Sequence, residues 1–198
     1  MRRTSTTGPF APLAPFAVST GLAVALMCTP RDAFALGPVD LEVGAKVGGG
    51  TNPFGGDGPN PLGFGLGARA GVGFFGFYGG LQFMYYFGSS QDVTGLSFNS
   101  KALLYGLEGG YSIPLVGFFT LRPQLGVGNM QINTSGQVND SSGRLYLEPG
   151  ATLLANIASI FAGVDANVLV LPDAPGPVQG NSSWRAAFTA HVQGGIKF

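Results

Sequence analysis

The chain has 198 residues, a formal net charge of zero and only 10% charged residues. Soluble domains carry about 25% charged residues, so water is not the expected main solvent, and the absence of net positive charge gives no basis for nucleic-acid binding. Past residue 35, no uninterrupted apolar run reaches the roughly 18 residues that a membrane-spanning helix needs. Helical membrane proteins and nucleic-acid-binding proteins are therefore excluded as interpretations.

The first 35 residues have the form of a cleaved signal peptide. Arg2 and Arg3 form a basic start, the apolar stretch FAVSTGLAVALM follows at 16–27, and Ala33-Phe34-Ala35 has the small-x-small pattern of a cleavage site. The sequence thus predicts a signal peptide at 1–35 and a single exported domain at 36–198. Cys28 precedes the predicted cut, so the mature domain has no cysteine to form a disulfide.

The mature domain contains eight segments in which apolar and polar side chains alternate with a period of two. Alternation over roughly 9 to 11 residues is typical of a tilted strand that crosses a bilayer. Pro123 and Pro149 fall inside two of these segments, and we expect local bulges there because proline cannot donate to a β-ladder. The predicted strands are 39–49, 63–75, 77–87, 101–113, 118–130, 144–155, 160–171 and 184–198.

The connections between the segments alternate in length. Those at 75–76, 114–117 and 156–159 are short, whereas the others have about a dozen residues rich in Gly, Asn, Ser, Asp or Pro. Short turns on one side and long loops on the other are typical of outer-membrane barrels, and a sheet in lipid must close on itself. We predict an all-β, eight-stranded antiparallel up-and-down transmembrane barrel in the bacterial outer membrane, with short periplasmic turns and four long extracellular loops.

Polar residues recur on the face opposite the apolar one, which predicts a polar lumen and an apolar exterior. A soluble lipocalin barrel would have the inverse arrangement. Eight strands enclose just enough space for side chains to fill, and four charged residues are expected to pair across it: Arg69, Glu108, Arg122 and Asp165. Inward glycines make room for the long side chains, or else leave a thin wet path. The predicted lumen residues are Lys46, Arg69, Gln82, Glu108, Arg122, Gln124, Glu148, Asp165, Asn167, His191 and Gln193.

Aromatic residues cluster near both ends of the predicted strands. Two such groups are typical of the girdles that flank the apolar band of a membrane barrel, and the alternative is the core of a soluble β-sandwich. Tyr78 and Phe161 are counted with the group beside the short turns. The predicted girdle residues are Phe74, Phe77, Tyr85, Phe87, Tyr111, Phe119, Trp184 and Phe188.

Three motifs carry a family resemblance that extends over the whole mature chain. LRPQLGVG at 121–128, YLEPG at 146–150 and the closing GGIKF at 194–198 resemble the small bacterial outer-membrane barrels of the OmpA transmembrane-domain and OmpX type. The resemblance implies that Ile196 and Phe198 form a signal for the barrel-assembly machinery. It also implies outer-membrane lipid and lipopolysaccharide as partners.

No catalytic residue, cofactor or metal site is predicted. GVGFFG at 71–76 matches a dinucleotide fingerprint, but a strand and not a helix follows it. His191 is the only histidine, and no base and nucleophile pair is visible around it. The sequence therefore predicts a non-enzymatic structural or surface-interaction protein with a largely plugged lumen and an unknown surface ligand at its loops. The alternatives are a narrow porin-like channel for ions or small solutes and, third, an outer-membrane lipid-modifying enzyme.

Overall fold

A computed structural model describes residues 39–55, 59–93, 96–135, 140–175 and 182–198. Within these ranges no helix is long and apolar enough to span a membrane. The predicted signal peptide at 1–35 and its cleavage site lie outside the described residues.

The described chain forms eight long strands and one two-residue strand. The strands are β1 Val39–Gly50, β2 Gly65–Phe74, β3 Phe77–Val93, β4 Leu96–Tyr111, β5 Ile113–Pro114, β6 Phe119–Ser135, β7 Asp140–Ile157, β8 Ile160–Pro175 and β9 Ser182–Lys197.

These strands form one closed antiparallel sheet. Each long strand pairs with its neighbours along the chain, and β5 continues β4 past Ser112 to pair with β6. The sheet closes where β1 pairs with β9, from Glu42 opposite Lys197 to Gly50 opposite Thr189. The predicted eight-stranded up-and-down barrel is confirmed.

The connections define two ends of the barrel. The turn end carries the connections at 75–76, 115–118 and 158–159, together with Val39 and Phe198. Phe75 and Gly76 have φ values of 50° and 84°, as a two-residue hairpin turn with positive φ at both positions requires. The opposite end, called the loop end below, carries the connection at 51–64 and the far ends of the other strand pairs.

At the loop end, two segments predicted as long loops are largely strand. β3 runs to Val93 and β4 begins at Leu96, while β6 runs to Ser135 and β7 begins at Asp140. These extensions are rich in Ser, Asn, Gln and Thr, so the alternation of apolar and polar residues stops before the strand does. The connection at 51–64 keeps the predicted length.

The two prolines are accommodated without the bulges that we expected, so that prediction is wrong. The register of β6 is the same before Pro123, where Leu121 is opposite Ile113 of β5, and after it, where Gln124 is opposite Gly110 of β4. At Pro149 the β7–β8 register is likewise unshifted, since Leu147 is opposite Val170 and Gly150 is opposite Asn167. Only the pairs between them are missing. A missing N–H removes a rung without displacing the strand. The register shifts instead between Tyr86 and Ser89 of β3 and between Leu171 and Ala174 of β8.

The outer face of the barrel is apolar, and aromatic residues lie near both of its ends. At the turn end Phe77 contacts Tyr111, with ring centroids 5.0 Å apart, and at the loop end Tyr85 contacts Phe87 at 5.2 Å. Among the predicted girdle residues, Tyr85 is half-buried and the others are exposed: Phe74, Phe77, Phe87, Tyr111, Phe119, Trp184 and Phe188.

Tyr78 and Phe161 do not belong to the turn-end aromatic group, because both side chains are buried inside the barrel. Tyr78 directly follows the outward Phe77, and successive side chains of a strand point to opposite faces. Phe161 packs over Gly44 and Gly195, where a Cβ atom would lie 2.8 Å and 2.7 Å from its ring. Alternation along the strand, and not distance from the turn, decides where an aromatic residue points.

The inward glycines give space to the large side chains of the lumen, which yields a packing prediction. A Cβ atom at Gly71 would lie 2.5–2.6 Å from the Tyr78 side chain, whereas one at the outward Gly79 would meet nothing within 4 Å. Gly71→Val is expected to lower the free energy of unfolding by about 1–3 kcal/mol through overpacking. The matched Gly79→Val variant should leave it nearly unchanged. Urea unfolding in detergent micelles measures both, and equal effects would contradict this account of the glycines.

Candidate functional site in the barrel lumen

The structure places all the predicted lumen residues on the inner face of the barrel. Gln124 is half-buried and the others are buried. Their contacts divide them between a layer near the turn end and a layer in the middle. A third layer at the loop end has a different composition.

The turn-end layer is built on two arginines that meet one glutamate. Arg122 donates from Nη1 and Nη2 to both carboxylate oxygens of Glu42, at 2.8 Å and 2.7 Å. Arg69 Nη2 lies 3.4 Å from the same carboxylate. Since Glu42, Arg69 and Arg122 come from β1, β2 and β6, these bonds join opposite sides of the barrel wall. The fork-to-fork geometry of Arg122 and Glu42 is the strongest type of charge-assisted pair.

Tyr78 holds the two arginines of this layer in place. Its ring lies under both guanidinium groups, with Cζ of Arg69 at 4.5 Å and Cζ of Arg122 at 4.1 Å from the ring centroid. Its hydroxyl donates to Glu108 Oε1 at 2.8 Å, and Arg69 Nε lies 3.1 Å from the same oxygen. Arg69 Nη1 also donates to Gln193 at 2.6 Å. Cation–π contact and ion pairing therefore fix the arginines together.

The middle layer is centred on Asp165. Its carboxylate lies 3.2 Å from Lys46 Nζ and 2.6 Å from His191 Nδ1, and it accepts a bond from Asn167 at 2.8 Å. Asn167 in turn accepts from Gln124 at 3.2 Å. A buried carboxylate with several partners is the arrangement that repays the cost of removing it from water.

A second set of polar contacts completes the middle layer around Glu148. Gln82 donates to Glu148 at 2.8 Å and to the Tyr146 hydroxyl at 3.2 Å, and Thr189 donates to Glu148 at 3.1 Å. Lys46 Nζ donates to the side-chain Oε1 of Gln82 at 3.4 Å. The two halves of the layer thus form one network across the barrel.

The loop-end layer is apolar, which corrects the expectation of a lumen that is polar throughout. It is a cluster of buried side chains from β3, β4, β6, β7, β8 and β9, to which the 51–64 connection adds Leu62. Asn60 anchors that connection, because its side chain donates to the Gly50 carbonyl at 2.7 Å and its N–H donates to Ser89 Oγ at 2.8 Å. The cluster contains Leu62, Met84, Tyr86, Ala102, Leu104, Met130, Ile132, Tyr146, Leu169, Leu171 and Ala187.

Several residues of the lumen network were missing from the predicted set. Their signal was present, since each one occupies the inward phase of its strand, as Glu42 does four positions before Lys46. Selecting every polar or aromatic residue at an inward position would have identified them. They are Glu42, Tyr78, Tyr86, Tyr146, Thr152 and Thr189.

His191 is held between an acid and a hydroxyl group. Its Nδ1 faces Asp165, and its Nε2 lies 2.8 Å from the Tyr86 hydroxyl. The order of groups is that of a hydrolytic triad, but Tyr86 has no exposed surface and belongs to the apolar cluster. The contacts therefore orient the imidazole ring and leave no open face for a substrate. Among the described residues, no group of three or more His, Cys, Asp or Glu side chains could hold a metal ion.

Solved structures share this architecture. A major outer membrane protein from Thermus thermophilus matches with a TM-score of 0.54 at 12% identity, covering 81% of this chain and 99% of that one. The N-terminal β-barrel domain of Pseudomonas aeruginosa OprF matches with a TM-score of 0.51 at 13% identity, covering 79% and 97%.

The chain has the fold of the small outer-membrane β-barrels. At these identities the likeness concerns the fold alone. No protein-family model and no curated protein matches the sequence. The features of this barrel that bear on function are therefore read from its own lumen and surface.

The Arg122–Glu42 pair yields a stability prediction. Arg122→Met is expected to lower the free energy of unfolding by about 3–5 kcal/mol, because it leaves a buried carboxylate with one partner fewer. Adding Glu42→Gln to that variant should restore part of the loss. Lys197→Met is the control, since it removes a cation from the partly exposed Lys197–Asp40 pair and should cost about 1 kcal/mol or less. Urea unfolding measures both variants. Equal losses of unfolding free energy in Arg122→Met and Lys197→Met would contradict the role of the network in stability.

Proposed function

We propose that the protein is a non-enzymatic integral protein of the bacterial outer membrane, exported by its signal peptide, with a sealed lumen. It serves envelope structure, and its loop end faces the outside for interaction with a surface ligand. The short turns then face the periplasm.

The membrane assignment rests on the outer surface of the barrel. Large apolar side chains point outward on every long strand, with Leu81 62% and Val192 57% exposed in the isolated chain. The charged side chains of the turn-end and middle layers are instead buried inside. Lipid is the solvent in which this distribution is favourable, and a closed sheet satisfies the backbone groups that lipid cannot.

One observation supports the proposal that the lumen is sealed. A packed apolar layer fills the loop end of the lumen, and two layers of paired polar groups fill the middle and the turn end. Met84, Leu104, Met130 and Leu169 are all at most 1% exposed. An ion moving along the axis would have to cross this dry layer, where it would lose its hydration without gaining a partner. The side chains that pair in the other two layers would also have to separate.

A conductance measurement tests the sealed lumen. Purified full-length mature protein in planar bilayers is expected to give no steady single-channel openings under conditions in which a general porin does. Heat-modifiable migration on a denaturing gel, in which the folded barrel and the boiled chain run differently, confirms that folded protein was used. Steady openings would contradict the sealed lumen and favour the narrow-channel alternative. Lipid modification that is abolished by His191→Ala would contradict the non-enzymatic assignment.

The terminal strand supports a second part of the proposal, assembly by the barrel-assembly machinery. Phe198 exchanges two backbone hydrogen bonds with Leu41, at 2.9 Å and 3.0 Å, while its side chain remains 57% exposed. Ile196 lies on the same outward face. An alternating apolar pair with a terminal aromatic residue is thus accessible on the strand that closes the sheet.

An in-cell comparison of two phenylalanines at the C-terminal end of the chain tests the assembly role. Phe198→Ser is expected to reduce the heat-modifiable protein in the outer-membrane fraction several-fold, because the terminal recognition group is lost. Phe188→Ser is the control, since Phe188 is also outward and is 52% exposed. Refolding of both purified variants into vesicles should be alike. Equal yields of the two variants in cells would contradict a role of Phe198 in recognition.

A further inference from the structure

The short connections at the turn end present large apolar side chains outward. Turns are usually polar because they face water. Here Val116 is 90% exposed, and Phe75 and Ile157 are nearly as open, so a large apolar residue lies on or beside each of the three connections. We call the following side chains, all of them exposed, the turn-tip residues: Phe75, Leu115, Val116, Phe118, Ile157 and Ile160.

Polar side chains beside the same connections are bonded on the lumen side. Ser112 Oγ accepts a hydrogen bond from Arg122 Nε at 3.0 Å, and Asn156 Nδ2 donates to Thr120 Oγ1 at 3.1 Å. Within the three connections themselves, Ser159 is the one residue with a polar side chain. The outward surface of the turn end is therefore almost entirely apolar.

Charge at the turn end is balanced. Beyond the turn-end layer of the lumen, the charged side chains that the structure describes at this end are Asp40 and Lys197. They pair with each other, with Lys197 Nζ 2.9 Å from Asp40 Oδ2. The described side chains of the turn end thus carry no net charge with which to attract an ionic partner.

The backbone of the connections is bonded to neighbouring strands. One carbonyl group of each connection accepts a hydrogen bond from an N–H group at the end of a neighbouring strand. The pairs are Gly76 with Ser112 at 2.6 Å, Phe118 with Asn156 at 2.8 Å, and Ser159 with Lys197 at 2.8 Å. Lipid offers no hydrogen bonds, so a backbone group next to lipid needs a partner within the protein. These three carbonyl groups have one.

The apolar surface also extends past the expected height of the apolar band. On β4 and β5 the outward positions after the exposed Lys101, from Leu103 to Ile113, are apolar, aromatic or glycine. At about 3.4 Å per residue and a tilt of about 45°, ten residues rise roughly 24 Å, close to the roughly 25 Å band of such barrels. Leu115 and Val116 lie beyond it, at the level of the headgroup layer, which is about 5–7 Å thick on each side.

Phe75 occupies an unfavourable backbone conformation while exposing its ring. Its φ value of 50° lies in the left-handed region, where bulky residues are rare and where such a turn usually has Asn, Asp or Gly. Its ring contacts the Phe74 ring at a centroid distance of 4.5 Å and remains 67% exposed. Contact of this ring with lipid instead of water would offset the backbone cost.

We propose that the turn-tip residues insert into the periplasmic leaflet of the outer membrane, where they contact phospholipid acyl chains beside the headgroups. This inference rests on the proposed outer-membrane location and goes beyond it, because a barrel can span the membrane with its turns in water. Continuity with the lipid-facing wall supports lipid as the occupant. The outward Ile113 leads to Leu115, and the outward Phe119 adjoins Phe118, with no polar position between them. Since the turn end has no net charge, the contact does not depend on the headgroup charge.

Spin labelling tests the insertion, because the domain at 36–198 has no cysteine of its own. A nitroxide is attached to Val116→Cys in the full mature protein, which is reconstituted in phosphatidylcholine vesicles. The ratio of its collision rates with oxygen, which concentrates in lipid, and with a water-soluble nickel chelate is then measured. Leu81→Cys on the wall is the lipid control, and Ser135→Cys, exposed at the loop end, is the water control.

The ratio at Val116→Cys is expected to be several-fold higher than at Ser135→Cys and to approach the ratio at Leu81→Cys. Replacing part of the phosphatidylcholine with phosphatidylglycerol should leave it unchanged. Heat-modifiable migration shows that each labelled variant is folded.

Three outcomes would overturn the insertion. A ratio at Val116→Cys equal to that at Ser135→Cys would place the turns in water. A ratio that rises with phosphatidylglycerol would assign the contact to headgroup charge, and low collision rates with both reagents, together with dipolar broadening between labels, would assign the turn end to a second copy of this chain. All three leave the proposed membrane location intact if Leu81→Cys still reports lipid. Exposure of Leu81→Cys to the nickel chelate would instead refute the membrane location itself.

Discussion

Closure of the sheet is the constraint on which the rest of the molecule depends. Once β1 pairs with β9, every second side chain of every strand must fit into a cylinder about as wide as a few side chains. The interior is then filled as densely as a protein core, although many of its residues are polar. Glycines and large residues alternate around the wall for this reason, as where the Tyr78 ring occupies the space over Gly71.

The same confinement determines the electrostatics. Charged groups that cannot reach water must find partners among themselves, and the partners are on other strands because each strand contributes only a few inward positions. Glu42 receives two arginines, and Asp165 receives Lys46 and His191. Removing one charged member leaves a buried group of opposite charge with fewer partners, so the members of the network stabilise one another.

The sequence was sufficient to predict the eight strands, the barrel and the inward position of its polar residues, because the period of two is strict wherever one face is apolar. It did not identify the partners. Of the four charges that we expected to pair together, Arg69 meets Glu108, but Arg122 meets Glu42 and Asp165 meets Lys46. Pairing across a lumen depends on strand tilt and stagger, which alternation does not encode.

The sequence pattern was also silent where both faces of a strand have the same character. Leu104 and Leu169 point inward between outward apolar residues, so the apolar layer at the loop end gave no alternating signal. The polar strand extensions at the loop end were missed for the complementary reason. The alternation of apolar and polar residues reflects a difference between the inner and outer faces of the barrel, and it is absent where both faces are apolar or both are polar.

The cross-lumen contacts also have a consequence for how the chain folds. Arg69 and Gln193 are 124 residues apart in the chain, and Tyr86 and His191 are 105 apart. Contacts of such sequence separation cannot form while the sheet is open, and they make folding slow. A half-closed barrel would lack the pairs that cross the lumen, such as Arg122 of β6 with Glu42 of β1. The wall and the contents of the barrel therefore depend on each other, since β9, which closes the sheet, also carries His191 and Gln193 of the network.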